Sequence, residues 1–135
     1  MPTSADVVYL DTSALVKLLV EEADTAALRR SLRSFGRRVS SALLKVELLR
    51  TVKRAGVPRL LVTARRQLAH INLIATDDDL LERAAAIEPA TLRSLDAIHL
   101  ASAMSLGAEL GALMTYDDRM GAAATALGLP VLTPR

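Results

Sequence analysis

Four acidic residues stand where a predicted strand ends or a predicted helix begins, inside otherwise apolar segments. They are Asp11, Glu47, Asp96 and Asp117. In an open parallel α/β sheet, ligands bind outside the carboxyl ends of the strands, so acids that are distant in sequence can converge there. Crowded carboxylates raise one another's proton affinity unless a cation neutralises them. Because hard oxygen ligands suit Mg²⁺ or Mn²⁺, the pattern predicts a divalent metal site.

Each acid also has a simpler explanation, because acids near helix N-termini are common and interact favourably with the helix dipole. For Asp96 and Asp117 the two explanations are equally good. Asp11 is harder to explain as a helix cap alone, since it follows directly on four apolar residues. The aspartates at 77–79 open a predicted helix and need no further function. His99, three residues after Asp96, is interpreted as a packed or hydrogen-bonded structural histidine rather than a catalytic base.

Short apolar runs alternate with amphipathic segments along the chain. The predicted strands cover 7–10, 39–41, 71–75, 112–116 and 130–133. The predicted helices cover 12–20, a segment capped by Asp24 or Thr25 and reaching about Ser34, 43–54, a segment with Pro58 in its first turn, a segment opened by Thr76 and the aspartates after it, 94–106 and 117–127. Ser94 is the expected N-cap of the helix over 94–106. This alternation predicts an α/β fold in which a parallel sheet is wrapped on both faces.

The composition limits the class of protein and the kind of site. A chain of 135 residues, 51% of them hydrophobic, suits a single domain over residues 1–135. The absence of Cys excludes disulfides and thiolate metal sites. Two Tyr, one Phe and no Trp leave little scope for stacking bases on aromatic rings. With neither a signal-peptide pattern nor an apolar run approaching about 18 residues, we expect a soluble cytoplasmic protein without membrane contact.

The charges are unevenly distributed. Residues 1–70 carry 13 Lys and Arg against 6 Asp and Glu, whereas residues 71–135 carry 4 against 9. Fourteen of the 17 basic residues are Arg, whose planar guanidinium suits bidentate phosphate contacts. In aggregate this favours a nucleic-acid partner, although any single Arg is equally well explained as part of a solvated helix face. Arg50 and Arg54 share a helix face with Glu47 and are candidate phosphate contacts; the alternative for Arg50 is an exposed ion pair with Glu47.

Four segments in order resemble the PIN domain, specifically the VapC-type toxins of bacterial toxin–antitoxin pairs. They are L-D-T-S-A-L-V-K-L, V-E-L-L-R, L-D-A-I-H-L-A-S-A and M-T-Y-D-D-R-M. The resemblance spans almost the whole chain. It implies a three-layer α/β/α sandwich with a mainly parallel sheet of four to five strands, and a Mg²⁺-dependent endoribonuclease that inhibits translation or growth.

The resemblance also assigns roles to residues of this sequence. Asp11, Glu47, Asp96 and Asp117 become the acidic catalytic set, and Ser13 and Thr115 match supporting hydroxyl positions. The hypothesis is that Asp11 and Asp96 bind the principal metal, Mg²⁺ or Mn²⁺ in its place, and that Asp117 completes the shell directly or through water. Glu47 would orient the attacking water or a second, substrate-dependent ion. Arg50 and Arg54 become candidate RNA contacts.

The partners implied by the resemblance are RNA, a cognate antitoxin protein and a second copy of the chain in a homodimer. The main alternative is a catalytically inactive PIN-like module that binds RNA or protein. A phosphoaspartyl phosphatase is disfavoured because it requires an acid where Ser13 stands, and a receiver domain because the last lysine of the chain is Lys53.

Overall fold

Five strands, all paired in parallel, form one sheet. The computed structural model describes residues 5–135. The strands are β1 (Val7–Leu10), β2 (Arg37–Ser41), β3 (Asn72–Ile74), β4 (Leu110–Met114) and β5 (Val131–Leu132), and their order across the sheet is β3-β2-β1-β4-β5. The chain therefore builds outward from β1 to β3 and then returns to add β4 and β5 on the other side of β1.

Helices make every connection between successive strands. They are α1 (Thr12–Leu19), α2 (Thr25–Leu32), α3 (Leu43–Ala55), α4 (Pro58–Ala69), α5 (Asp78–Ala85), α6 (Ser94–Met104) and α7 (Asp118–Ala126), with a 3₁₀ turn at Gly107–Glu109. Several ends follow from local sequence. Gly56 ends α3 in the left-handed conformation, with φ 67°, and Pro58 opens α4, where its missing N–H costs no hydrogen bond.

The helices cover both faces of the sheet. On one face, Val8 and Leu10 of β1 pack with leucines of α1 to α4, such as Leu15 and Leu48. On the other face, Tyr9 and the alternate strand residues pack against α6 and α7, while α5 packs on α6. All four residues of β1 are buried, as expected of a central parallel strand with both faces covered. The predicted α/β/α sandwich with a parallel sheet of four to five strands is confirmed.

Several predicted element boundaries differ from the observed ones by one or two residues. The N-cap of α6 is Arg93 instead of Ser94, because the Arg93 carbonyl already accepts the first helical hydrogen bond, from Ala97 N at 2.9 Å. The fourth strand begins at Leu110 and ends at Met114 instead of covering 112–116. Thr115 therefore lies just beyond the strand, where its side chain is free to turn across the sheet edge.

The helix after β3 opens at Asp77. Its side chain accepts a hydrogen bond from Leu80 N at 2.9 Å, and Asp78 and Asp79 occupy the first turn. The structural explanation of these aspartates therefore agrees with the geometry. Within residues 5–135, the helices are all too short or too polar to cross a membrane.

Candidate active site

The candidate site lies at the carboxyl ends of β1 and β4, the two strands between which the direction of chain construction reverses. Open α/β sheets bind their ligands at such a switch point, because the loops leaving the two strands diverge and leave a crevice. Leu10 pairs with Met114, so the residues that follow them, Asp11 and Thr115, emerge side by side. The Asp11 N–H continues the ladder by donating to the Met114 carbonyl at 3.3 Å. Asp117 follows two residues after Thr115.

Asp11 is buried at the sheet edge and held by three hydrogen bonds. Only 4% of the residue is exposed. Its Oδ1 accepts hydrogen bonds from Ser13 Oγ at 2.6 Å and from Ala14 N at 3.1 Å, and its Oδ2 accepts one from Thr115 Oγ1 at 2.5 Å. The bond from Ala14 makes Asp11 the N-cap of α1. Capping and a site at the sheet edge are thus properties of the same carboxylate.

Ser13 and Thr115 link Asp11 to the segment that carries Asp117. Ser13 Oγ accepts from Tyr116 N at 2.8 Å, and Thr115 Oγ1 accepts from Asp117 N at 3.0 Å. Both hydroxyls give their own protons to Asp11. The two supporting positions that the resemblance assigned are therefore the ones that fix the loop after β4 against the loop after β1.

Asp117 caps α7 through one of its two carboxylate oxygens. Oδ1 accepts from Arg119 N at 2.9 Å and from Met120 N at 3.2 Å. Within residues 5–135, Oδ2 accepts no hydrogen bond. This half-buried carboxylate therefore caps the N-terminus of α7 with one oxygen and keeps the other as an acceptor for a ligand.

Asp96 lies in the first turn of α6, and the charges of two other acids affect its pKa. Burial raises the pKa of the Asp96 carboxyl, and the negative charges of Asp117 and, more weakly, Glu47 add to that effect. The exposed Arg93 acts in the opposite direction, with its Nε 3.7 Å from Asp96 Oδ2. Asp96, Asp117 and Glu47 belong to the N-terminal parts of three different helices. Asp117 and Glu47 are nevertheless close enough to Asp96 for their charges to affect its pKa.

Glu47 lies one turn into α3 and is hydrogen-bonded to His99 of α6. Its Oε1 is 2.6 Å from His99 Nε2, and His99 Nδ1 is 2.7 Å from the hydroxyl of Tyr9. Burial acts to raise the pKa of Glu47, but the interactions with His99 outweigh it and hold the pKa below the ordinary value. His99 is indeed a buried, hydrogen-bonded histidine; its contact with a predicted catalytic acid was the part that the sequence did not indicate.

The donor set fits a hard divalent cation. Burial raises the pKa of Asp11 despite its three hydrogen bonds. The ionised carboxylate is therefore unfavourable in the metal-free protein, and a bound cation would stabilise it. In residues 5–135, no three acidic or histidine side chains lie close enough to enclose an ion by themselves. Mg²⁺ commonly takes one or two carboxylates and keeps several waters, which matches a site of spread acids.

The predicted arginines on α3 lie on the surface. Arg50 and Arg54 are exposed, and Arg54 donates to Thr51 Oγ1 at 3.3 Å. The alternative ion pair between Arg50 and Glu47 does not form among the described residues, because Glu47 is bound to His99 instead. Both arginines thus remain available to a ligand that approaches along α3.

A groove beside Asp96 contains two arginines that the sequence analysis did not single out. It has a volume of about 530 Å³ and is lined by Arg93, Arg119 and apolar residues of the loop before α6 and of α7. Volumes of about 300 to 1,000 Å³ are usual for small-ligand pockets. Arg93 and Arg119 stand within three residues of Asp96 and Asp117, so the one sequence signal for them was basic residues next to the predicted acids.

Known proteins resemble the chain in both sequence and structure. Residues 8–126 match the PIN domain family. Ribonuclease VapC46 of Mycobacterium tuberculosis (strain ATCC 25618 / H37Rv) is 49% identical over 127 residues, which cover 94% of this chain and 97% of the relative. Ribonuclease VapC47 of Mycobacterium tuberculosis (strain CDC 1551 / Oshkosh) is 40% identical over 131 residues, covering 94% and 96%.

Two solved structures have the same fold. A toxin–antitoxin complex from Klebsiella pneumoniae matches with a TM-score of 0.72 at 24% identity, covering 95% of this chain and 98% of the other. Mycobacterium tuberculosis VapC20, a toxin that cleaves the sarcin-ricin loop, matches with a TM-score of 0.73 at 19% identity, covering 94% and 99%. The family match over most of the chain and the identity to whole curated relatives confirm the predicted resemblance: this chain belongs to the PIN domain family, among the VapC ribonucleases.

Proposed function

We propose that this protein is a Mg²⁺-dependent endoribonuclease that serves as the toxin of a toxin–antitoxin pair, with Asp11, Glu47, Asp96 and Asp117 as its acidic site. The observation that supports this is that Thr115 links Asp11 to the Asp117 backbone at the switch point between β1 and β4, while Asp117 and Glu47 act on the pKa of Asp96, in a chain whose relatives are ribonucleases. One nuclease domain over residues 1–135 accounts for the site, because its residues come from elements spread from β1 to α7.

The metal would be held by Asp11 and Asp96, with Asp117 completing the shell directly or through water; Mn²⁺ is expected to substitute for Mg²⁺. A divalent ion so held supplies charge stabilisation to the phosphoryl oxygens and lowers the pKa of a bound water. The chain's own contribution is geometric. Ser13 and Thr115 fix the direction of the Asp11 carboxylate, and the ionised Glu47 orients the attacking water and accepts its proton.

Two basic surfaces could guide RNA to these acids. Arg93 and Arg119 line the groove that opens directly beside Asp96, so a nucleotide next to the scissile phosphate can place its phosphate against them. Arg50 and Arg54 extend the path along α3. We expect Arg119→Ala to weaken RNA binding several-fold and to lower the salt slope of binding by about 1. Arg66→Ala, at an exposed position on α4, is the matched control, and an equal loss in both variants would remove the groove from the RNA path.

The antitoxin is proposed to cover an apolar groove at the turn between α3 and α4. Its lining includes Leu49, Val52, Pro58 and Leu61, and Leu61 is 44% exposed. The structural neighbour from Klebsiella pneumoniae was solved as a toxin–antitoxin complex, which supports a protein partner. Leu61→Glu should abolish co-purification with the protein encoded next to this chain's gene. Sedimentation of the chain alone and with that protein tests the expected homodimer.

The nuclease proposal is tested by incubating purified protein with total RNA in Mg²⁺, in Mn²⁺ and in EDTA. Cleavage should require the metal and should be lost in Asp96→Asn. Asp79→Asn, an exposed acid in the first turn of α5, should cut like the wild type. If the folded wild type, freed of antitoxin, cuts nothing under any condition, the chain is instead a binding module with the PIN fold.

A further inference from the structure

His99 occupies a position that a core helix would normally give to an apolar residue. It is 2% exposed and lies on α6 among buried Ala and Leu residues. A buried imidazole is unfavourable unless its nitrogens are hydrogen-bonded. Here both are: Nε2 is 2.6 Å from Glu47 Oε1, and Nδ1 is 2.7 Å from the Tyr9 hydroxyl. The Tyr9 ring meets the imidazole edge to face, with centroids 5.8 Å apart and planes at 81°.

The partners at the two ends determine where the imidazole carries its proton. Glu47 is ionised and can only accept, so it favours a ring that carries a proton on Nε2 and donates it. At the other end, Ser40 and Ser102, which lie near Tyr9, give their protons to backbone carbonyls at 2.6 and 2.7 Å. In a neutral ring Nδ1 then accepts, and the Tyr9 hydroxyl directs its proton at it. The result is a one-way chain, from the Tyr9 O–H to Nδ1 and from Nε2–H to the Glu47 carboxylate.

We propose that Tyr9 and His99 are positioning residues for catalysis, in which Tyr9 fixes the Nε2–H tautomer of His99 and His99 fixes the carboxylate of Glu47 towards the other acids. The inference rests on the proposed function, since it takes Glu47 to be the group that orients water. Glu47 is a flexible side chain on a half-buried helix face, and its carboxylate is held by the 2.6 Å hydrogen bond to His99, with the Thr12 hydroxyl as a weaker neighbour. The bond is anchored in the sheet, because Tyr9 belongs to β1, the strand that also places Asp11.

The kinetic prediction separates positioning from packing. His99→Ala should lower kcat by about 10- to 100-fold, the usual loss when a group that orients a site residue is removed. The KM for RNA should not change, because His99 and Tyr9 are buried and cannot touch the substrate. His99→Gln, whose amide can donate from nearly the same place as Nε2, should recover most of the kcat. Tyr9→Phe should show a smaller loss of kcat, since it removes the hydroxyl and keeps the ring.

Thr25→Val is the matched control. Thr25 is equally buried, on α2, and its hydroxyl donates to the Lys17 carbonyl at 3.0 Å, away from Tyr9 and His99. It should share any thermal destabilisation with the His99 variants but keep the wild-type kcat. If His99→Ala and Tyr9→Phe lose thermal stability and keep kcat, the pair is merely structural and the inference fails.

A second measurement needs neither metal nor activity. The chain has two histidines, so ¹⁵N NMR of the rings with His70→Gln for assignment reports His99 alone. The neutral ring of the metal-free wild type should be the Nε2–H tautomer, and Tyr9→Phe should show some Nδ1–H ring beside it, because only Glu47 then favours Nε2–H. An Nδ1–H tautomer in the wild type would overturn the inference. Failure of the proposed function appears differently, as a wild type that cuts no RNA while the tautomer is still found as expected.

Discussion

The Asp11 side chain has two opposite effects on the free energy of folding. Its carboxylate caps α1 and accepts bonds from Ser13 and Thr115, which stabilise the loop. Yet it is almost fully buried, and burial raises its pKa, so the negative charge itself destabilises the metal-free protein. A residue selected for stability alone would keep the acceptors without the charge. The retained charge is what a metal ligand requires.

Asp11→Asn separates the two effects. Asn keeps an oxygen to cap α1 and loses the buried charge, so the metal-free variant should be more stable than the wild type. RNA cleavage should be abolished. Asp11→Ala loses the cap as well and should be less stable than Asp11→Asn by about 0.5 to 2 kcal/mol. Urea denaturation in EDTA measures both. An Asn variant less stable than the wild type would show that the charge is not destabilising, and one no more stable than Asp11→Ala would show that the cap contributes nothing.

The pH dependence of stability should carry the same sign. The pKa of Asp11 is raised above its usual 3.8 in the folded protein, so on acidification the native state binds its proton before the unfolded chain does. The free energy of unfolding of the metal-free protein should therefore gain from Asp11 as pH falls from neutrality to the ordinary carboxyl range. Glu47 contributes with the opposite sign, because its pKa is lowered. The difference between wild type and Asp11→Asn isolates the term, and a difference that grows on acidification would contradict it.

At the scale of elements, the helix starts explain what could be predicted. Asp11 and Asp117 are both true N-caps, so the capping explanation of these acids is confirmed, while their role in a metal site stays a prediction. The order of strands and helices could be predicted from the hydrophobic pattern, because the spacing of apolar residues that distinguishes a strand from a helix is a local property of the sequence. Ser94 was misplaced by one residue since a capping preference is only a bias, and the carbonyl that starts α6 belongs to Arg93.

The contact between Glu47 and His99 could not have been predicted from spacing. The two residues are 52 positions apart in sequence. They meet because α3 and α6 both begin near the same edge of the sheet. The sequence showed four acids and an isolated histidine, but not which acid the histidine touches. The groove with Arg93 and Arg119 was missed for the same reason, as it forms between the loop before α6 and the outer face of α7.

The junction of β1 with β4 depends on a glycine. The register shifts between Val7 and Val8, leaving Gly111 as the extra residue of β4. A Cβ at Gly111 would lie 2.2 Å from the Ala5 carbonyl oxygen and 2.7 Å from the Phe35 ring.

Gly111→Ala should therefore lower the free energy of unfolding by about 1 to 3 kcal/mol, as overpacking does. Gly121→Ala is the matched control within α7, where the nearest atom to a new Cβ is 3.7 Å away. That change should raise the free energy of unfolding by about 0.5 to 1 kcal/mol, since Gly inside a helix is unfavourable. Thermal melts of both variants test the pair, and equal destabilisation would argue against a specific role of the bulge.

At the scale of the whole molecule, the topology joins the two differently charged parts of the chain. The first 70 residues, which carry the excess of arginine, form β1, β2 and the helices on one face. The later residues, which carry the excess of acid, supply β4, α6 and α7. The switch point lies where these parts meet, and of the arginines in the first part Arg50 and Arg54 follow Glu47 on α3. Composition could indicate a cation and a polyanion as partners, but the strand order was needed to show that the two parts meet at this edge of the sheet.

This arrangement predicts a cation-dependent stability of the whole fold. A ligand that binds only the native state stabilises it by RT ln(1 + [L]/Kd), about 2.7 kcal/mol at a hundredfold excess over Kd. Mg²⁺ should therefore raise the Tm of the wild type by several degrees as its concentration passes Kd, whereas NaCl at equal ionic strength should not. Asp11→Asn should start from a higher Tm in EDTA and lose the response, and Asp79→Asn should keep it. A wild type that ignores Mg²⁺ while still cutting RNA would mean that the ion binds only together with the substrate, whose phosphate would then have to complete a coordination shell that the acids leave open.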